Sequence, residues 1–274
     1  FLSLFPRLGL TALLRLALAA CLGLLGGCGR PDDTRAEVVV FAAASLNEAV
    51  SEAAEAFSAK HDVKVVLNFA SSGALARQIL ATGGAAVYLS ANPDWMAEVE
   101  QAGRTVDGSR VELLANRLVM VAAATAGFEL DDPAGLADLP FDYLAIGDPA
   151  HVPAGHYARR WLESLNGPDG RPLWETLEAS ERLSPMPDVR AALMQVRGNA
   201  KLVGVVYRTD YRLLRDELTL LYTVPENRTG PIRYSAAQIT AGASPEAEAF
   251  LAFLQSAEAA ALFERHGFTH LVSP

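Results

Sequence analysis

Two serines sit where an apolar run gives way to a helical pattern. VVVFAAASLNEAV, from Val38 to Val50, ends its small residues on Ser45, and NFASSGALARQIL, from Asn68 to Leu80, does the same at Ser72. The first turn of a helix has unpaired N–H groups and a partial positive charge, so a serine there either caps the helix or donates its own hydroxyl outward. Neither corner carries a lysine or arginine, and neither is a glycine-rich phosphate loop. One such serine is ordinarily a cap. Two, at the carboxyl ends of neighbouring strands, make a site for an anion held by neutral donors.

Three later segments have matching character. GDPAHVPAGHYA, from Gly147 to Ala158, follows a strand pattern and opens a helix with Pro153 in its first turn. Ala154 and Gly155 leave room there for a ligand to approach backbone N–H groups. In PMPDVRAAL, from Pro185 to Leu193, Asp188 would cap a helix and Val189 would present its amide. GVVYRTD, from Gly204 to Asp210, ends a strand on Tyr207, whose hydroxyl can point into a cleft, although a tyrosine so placed is commonly just a partly buried aromatic.

Other chemistries fit these residues less well. As a nucleophile, Ser45 or Ser72 would lack the G-x-S-x-G elbow, and no histidine falls in a recognisable triad context. A metal site would draw on five histidines. His151 and His156 share a loop, and His266 and His270 are four apart but straddle Gly267 at a helix end, so surface histidines are the simpler reading.

The elements that must position these residues alternate between strand and helix. Val38–Phe41, Val63–Phe69 and Val87–Ser90 read as buried strands, with helices following from Leu46, from Ala74 and from Asp94 after Pro93. This is a repeated β-α unit with a parallel sheet. Leu118–Ala124 is a strand suited to pass from one lobe to another, after which a second set begins: a helix near Pro133–Leu139, a strand at Tyr143–Ile146, helices from Ala154 and from Val189, and a strand at Val203–Tyr207. Leu218–Val224 and Ile232–Ile239 read as strands returning to the first lobe, and two helices, Pro245–Leu254 and Ala257–His266, finish the chain. The expected organisation is lobe 1 from residues 37–117 plus 237–274 and lobe 2 from residues 118–236, with a ligand cleft between the carboxyl ends of their strands.

Residues 1–28 read as a secretory leader: Arg7, an apolar run through Leu25, then Gly26, Gly27 and Cys28. LGGC resembles a bacterial lipobox, with lipid expected on Cys28; LAAC, ending at Cys21, competes but would leave LGLLGG exposed on the mature end. An uncleaved membrane anchor is the alternative. Residues 29–36 are a short tether. Both cysteines lie in the leader, so the mature domain has no disulfide and no thiolate metal site. Arg7 and Arg15 precede Cys28 and no acidic residue does, so the net charge of −9 becomes −11 beyond it. That balance argues against nucleic acid or an anionic membrane as a partner.

Taken together, FAAASL, FASSGALARQI, GDPAHVPAGHYA, DVRAAL, VVYRTD and the closing LFERHGF resemble, in order and spacing, the periplasmic molybdate-binding proteins of ABC importers, from about Val38 to Phe268. The resemblance implies an α/β, two-lobed periplasmic-binding-protein fold (type II), each lobe a central, mostly parallel sheet flanked by helices. It also implies that Ser45, Ser72, the backbones of Ala154 and Val189, and Tyr207 hold molybdate or tungstate. Molybdenum would then be bound only as its oxyanion, with no protein atom on the metal and no cofactor. The implied partners are an importer permease and ATPase, with the protein exported to the periplasm or cell surface as a lipid-anchored monomer that catalyses nothing. A sulfate carrier of the same fold and a surface oxyanion sensor are the alternatives. One departure is that AAVYLSAN places Ala86 and Asn92 where the family commonly has aspartate.

Overall fold

The computed structural model describes residues 35–168 and 170–272. The expected leader, Cys28 and the tether as far as residue 34 lie outside the described residues. Strand β1 (Ala36–Ala43) runs into a one-turn 3-10 helix (Ala44–Leu46) and then helix α1 (Asn47–Ser58). Strand β2 (Val63–Ala70), helix α2 (Ser72–Thr82), strand β3 (Val87–Ser90), helix α3 (Pro93–Gln101) and strand β4 (Val111–Asn116) follow.

Alternate side chains of β1 enter different cores, as the two-residue period of a strand requires. Val38, Val40 and Ala42 pack with Ala49, Val50, Ala53 and Phe57 of α1, whereas Phe41 packs with Leu75, Ala76 and Ile79 of α2 and with Met96 and Val99 of α3. Burying a side chain such as Phe57 or Ile79 contributes about 1.5–3 kcal/mol. The strand is therefore held from both faces, and its carboxyl end is a fixed point.

A second sheet begins after Arg117. It uses β5 (Leu118–Ala123), β6 (Tyr143–Gly147), β7 (Leu183–Met186), β8 (Leu202–Tyr207) and β9 (Leu218–Thr223). Its helices are α4 (Pro153–Glu163), α5 (Leu173–Ala179), α6 (Val189–Gly198) and the short α7 (Arg208–Leu213). The expected helix at Pro133–Leu139 is instead a 3-10 segment over Pro133–Asp138, capped by Asp132. A one-turn helix α8 (Glu226–Thr229) then leads to β10 (Ile232–Gln238), α9 (Pro245–Leu254), α10 (Ala257–Arg265) and β11 (Thr269–His270).

The strand orders are β11-β4-β10-β3-β1-β2 in the first sheet and β7-β6-β8-β5-β9 in the second. Each is parallel on one side only. The run β2-β1-β3 and the run β7-β6-β8 are parallel, and every other pairing is antiparallel, so the sheets are more mixed than the repeated β-α pattern suggests. The reason is topological: β4, β5, β9 and β10 carry the chain from one sheet to the other and back, and a strand that returns comes in reversed. Two expectations are corrected accordingly. Leu218–Thr223 pairs with β5 in the second sheet and does not return. The first sheet takes the chain up again at Ile232, before the boundary expected at residue 237.

Among the described residues, no helix is long and apolar enough to cross a membrane.

Candidate functional site

Register brings the two serines together. Strands β1 and β2 run parallel with Ala43 opposite Ala70, so Ser45 and Ser72, each two residues further on, leave the sheet at the same level. In the second sheet, Gly147 of β6 lies opposite Met186 of β7, and Ala145 opposite Gly204 of β8. The starts of α4, α6 and α7 consequently cluster at one end of that sheet. All five residues singled out from the sequence line one cavity. Ala43, Ala44, Ser45, Ser71, Ser72 and Ala91 wall it from the first half, and Val152, Pro153, Ala154, Asp188, Val189 and Tyr207 from the second. Its free volume, ≈ 10 Å³, is no more than that of one water, so the halves are nearly shut on each other here. Neither lysine nor arginine lines it.

Each donor has a local cause. Ser71, which was not singled out, caps α2 by accepting the Ala74 N–H at 3.4 Å. That frees Ser72, whose Oγ accepts the Ala91 N–H at 3.0 Å and keeps its own proton for the cavity. Ser45 caps nothing either. It is the middle residue of the 3-10 turn that precedes α1, and its Oγ lies 3.0 Å from the Tyr234 hydroxyl. In α6, Asp188 Oδ1 accepts the N–H groups of Arg190 (2.8 Å) and Ala191 (2.9 Å), leaving Val189 as the first-turn donor not engaged by the cap. Ala154 is the second residue of α4, after Pro153, and is fully buried. Tyr207 is 1% exposed, and its hydroxyl has no hydrogen-bond partner among the described residues. Burial pushes its pKa well above the ordinary 10, so it is a neutral donor.

Gly155 has a different role from the one its size suggests. A Cβ there would meet the backbone O of Gly147 at 1.8 Å, so the glycine lets α4 sit flush on the end of β6 rather than opening space for a ligand. Asn92, one of the two departures, caps α3 by accepting the Asp94 N–H, as an aspartate would. Ala86 is buried, its N–H bonded to Val39 O and its carbonyl to the Ile239 N–H.

Two contacts close the halves around the cavity. The Gly73 N–H donates to His151 O at 3.1 Å. On the other flank Arg190 reaches Glu48 at 2.5 Å and Ser45 O at 3.4 Å. Arg190 Nε also lies 2.9 Å from Asp210 Oδ1, but the pair is not aligned as a hydrogen bond. Asp210 is fully buried and accepts the Tyr207 N–H at 3.0 Å. Burial raises its pKa to about 6 against the opposing pull of Arg190.

The histidines serve elsewhere. His266 meets Glu52 at 2.7 Å, and His270 lies 3.0 Å from the carbonyls of Val272 and Leu254. No group of three or more metal-ligating side chains is assembled among the described residues. A larger cavity, ≈ 740 Å³, is lined by Arg159, Arg160, Trp174 and Glu178 among others, but none of the five singled-out residues reaches it. It mixes both charge signs.

Two mixed sheets meet at a small cavity lined by serine, tyrosine and helix-start residues, an arrangement suited to holding a small solute. The chain belongs to the bacterial extracellular solute-binding protein family, whose model matches residues 38–269. It is similar to the molybdate-binding protein ModA of Escherichia coli K12, with 36% identity over 237 residues, covering 85% of this chain and 89% of that one. It is 33% identical to ModA of Haemophilus influenzae over 251 residues, covering 90% and 95% of the two chains. The periplasmic molybdate-binding protein of Azotobacter vinelandii superposes with a TM-score of 0.74 over 86% of this chain and all of that one; at 23% identity, that likeness speaks for the fold alone.

Proposed function

We propose that this protein captures molybdate, and tungstate with it, outside the cytoplasm and delivers it to an ABC-type importer. The observation that carries this reading is the convergence of Ser45, Ser72, Ala154, Val189 and Tyr207, from both halves, on one cavity without a cationic side chain. A tetrahedral dianion needs donors on several sides. A hydrogen bond to a charged group contributes about 1.5–3 kcal/mol, and a helix N-terminus up to about 2 kcal/mol in a partly buried site. Several of each, discounted for non-additivity and for closing the halves, reach the roughly 8 kcal/mol of micromolar binding. The names of the similar proteins point to the same ligand and to an importer.

The finer parts of the proposal follow. The molecule works as two lobes hinged where the chain crosses between the sheets. It needs no cofactor and catalyses nothing; no histidine lines the cavity, and both serine hydroxyls already accept or share a hydrogen bond. It is an exported monomer anchored by lipid on Cys28, with a permease and an ATPase as partners.

Calorimetry on the soluble form, with molybdate, tungstate and sulfate in parallel, tests the assignment. Tight binding of the first two and much weaker binding of sulfate is expected; equal affinity for sulfate would overturn the ligand. Ser45→Ala and Ser72→Ala should each weaken molybdate binding by about 1–3 kcal/mol, and unchanged dissociation constants in both would remove the serines from the pocket.

A further inference from the structure

Behind Ser45 lies a chain of polar groups that the oxyanion site does not by itself require. Asn116, the last residue of β4, donates from Nδ2 to the Tyr234 hydroxyl at 3.1 Å and to Thr209 Oγ1 at 2.9 Å. Its Oδ1 accepts the Arg117 N–H at 2.9 Å. A backbone N–H is only a donor, so that bond fixes which way the amide faces and makes Nδ2 the group aimed at Tyr234. The two hydrogens on Nδ2 are thereby assigned, one to each hydroxyl.

The rest of the chain has one consistent direction. Tyr234 is 1% exposed, and its oxygen takes the hydrogen from Asn116. Distance alone lets either oxygen donate in the 3.0 Å pair with Ser45 Oγ; with its oxygen already taken by Asn116, Tyr234 is assigned as the donor. Ser45, 3% exposed, then accepts from Tyr234 and has its hydroxyl hydrogen left for the cavity it lines. Tyr207, whose ring centroid is 5.9 Å from that of Tyr234, does not take the hydrogen, because its hydroxyl has no partner among the described residues.

From this we infer that Asn116 and Tyr234 are positioning residues that make Ser45 an obligate donor, and that through Ser45 they select fully deprotonated oxyanions over protonated ones. The inference rests on the oxyanion reading above and extends it to residues that do not touch the ligand. A serine hydroxyl is normally ambivalent: it turns to donate to a lone pair or to accept from an acidic hydrogen. Fed from behind by a tyrosine that is itself fed by an amide, Ser45 turns only by giving up its hydrogen bond from Tyr234. Hydrogen phosphate carries a proton that needs an acceptor in the site, and Ser45 is denied to it. Ser72 is committed in the same sense by the Ala91 N–H; Asp188, which also lines the cavity, has Oδ1 engaged by its own helix, so the discrimination argued here is the share that Ser45 contributes.

Two substitutions test the direction of the chain. Asn116→Asp keeps the size and the Oδ1 acceptor for Arg117 but replaces the donor with an acceptor. Tyr234 then donates to residue 116, Ser45 donates to Tyr234, and the cavity receives a lone pair where it had a proton. Sodium molybdate is titrated directly by calorimetry. Sodium phosphate, as the hydrogen phosphate dianion at about pH 8, is measured by competition with molybdate. The expected result is a fall of at least about tenfold in the ratio of molybdate to phosphate affinity, the range for one hydrogen bond to a charged group. A simple effect of added negative charge would weaken both anions together and leave the ratio in place.

The second variant, Tyr234→Phe, closes a cycle with Ser45→Ala. If Tyr234 acts only through Ser45, removing its hydroxyl weakens molybdate binding in the Ser45 protein and changes nothing further in the Ser45→Ala protein. Equal losses in both backgrounds, or an unmoved anion ratio in Asn116→Asp, overturn the inference. Should Asn116→Asp fail to fold, as read from its thermal melt, the Tyr234 cycle decides alone. A wild-type protein that binds no molybdate would instead refute the underlying function, so the two failures are distinct.

Discussion

Tyr207 offers a hydroxyl to the cavity and to nothing else among the described residues, which separates its contribution to binding from its contribution to folding. Tyr207→Phe should leave the unfolding midpoint of the ligand-free protein unchanged or slightly raised, because a buried polar group without a partner is removed. The same change should weaken molybdate binding by about 1.5–3 kcal/mol; calorimetry beside a thermal melt reads both. That Tyr207, Ser45 and Ser72 would line one cavity could be expected from the sequence because each lies where a strand hands over to a helix, a pattern local enough to see. Ser71 was not, since two adjacent serines divide capping and donation between them in a way that only backbone geometry decides. Tyr234 and Asn116 were wholly hidden: they meet Ser45 and each other across 189 and 118 positions of sequence.

At the scale of elements, the start of α4 shows how little freedom the site has. Gly155 is pressed on Gly147 O, a backbone atom that cannot swing aside. Gly155→Ala should lift the first turn of α4 off β6, lowering stability by about 1–3 kcal/mol and moving the Ala154 N–H out of the cavity. Denaturant unfolding and molybdate titration should both register the change, and a variant with wild-type values in each would show that the turn relaxes. The sequence marked the small residues here but not what they make room for. Strands with a continuous apolar run, such as β1 and β8, were readable; β7, β11 and the short α5 were not, being brief segments whose place is set by the neighbours they pair with or cover. The return of the chain was misassigned at Leu218–Thr223 for the same reason, because an apolar run carries no label saying which sheet it joins.

For the whole molecule the question is what holds the halves together. Gly73 has no room for a Cβ, with His151 O at 2.6 Å and the Trp95 ring at 2.7 Å from where it would stand. Gly73→Ala should therefore disfavour the closed form and raise the molybdate dissociation constant, even though alanine is favoured over glycine in a helix by about 1 kcal/mol. Unaltered affinity in that variant would remove this contact from closure. On the opposite flank, Asp210 gives the protein a pH signature. Its pKa is raised from the ordinary 3.8 to about 6, mainly by burial, so the folded state binds more protons than the unfolded one between those values. Its contribution to stability is then complete below about pH 4, declines as the pH rises through about 6, and is constant above that. Asp210→Asn, compared with the wild type by denaturant unfolding, should gain relative stability over that interval and hold the difference at higher pH; a gap that does not vary with pH would place the titration elsewhere.

The solitary phenol at the meeting of the halves has one more effect. Shutting it away from water is unfavourable until an oxygen lone pair arrives to receive its hydrogen, and a tetrahedral guest brings several. Shape and cargo are thereby linked, so a membrane partner that recognises only the shut outline would be reading occupancy at second hand.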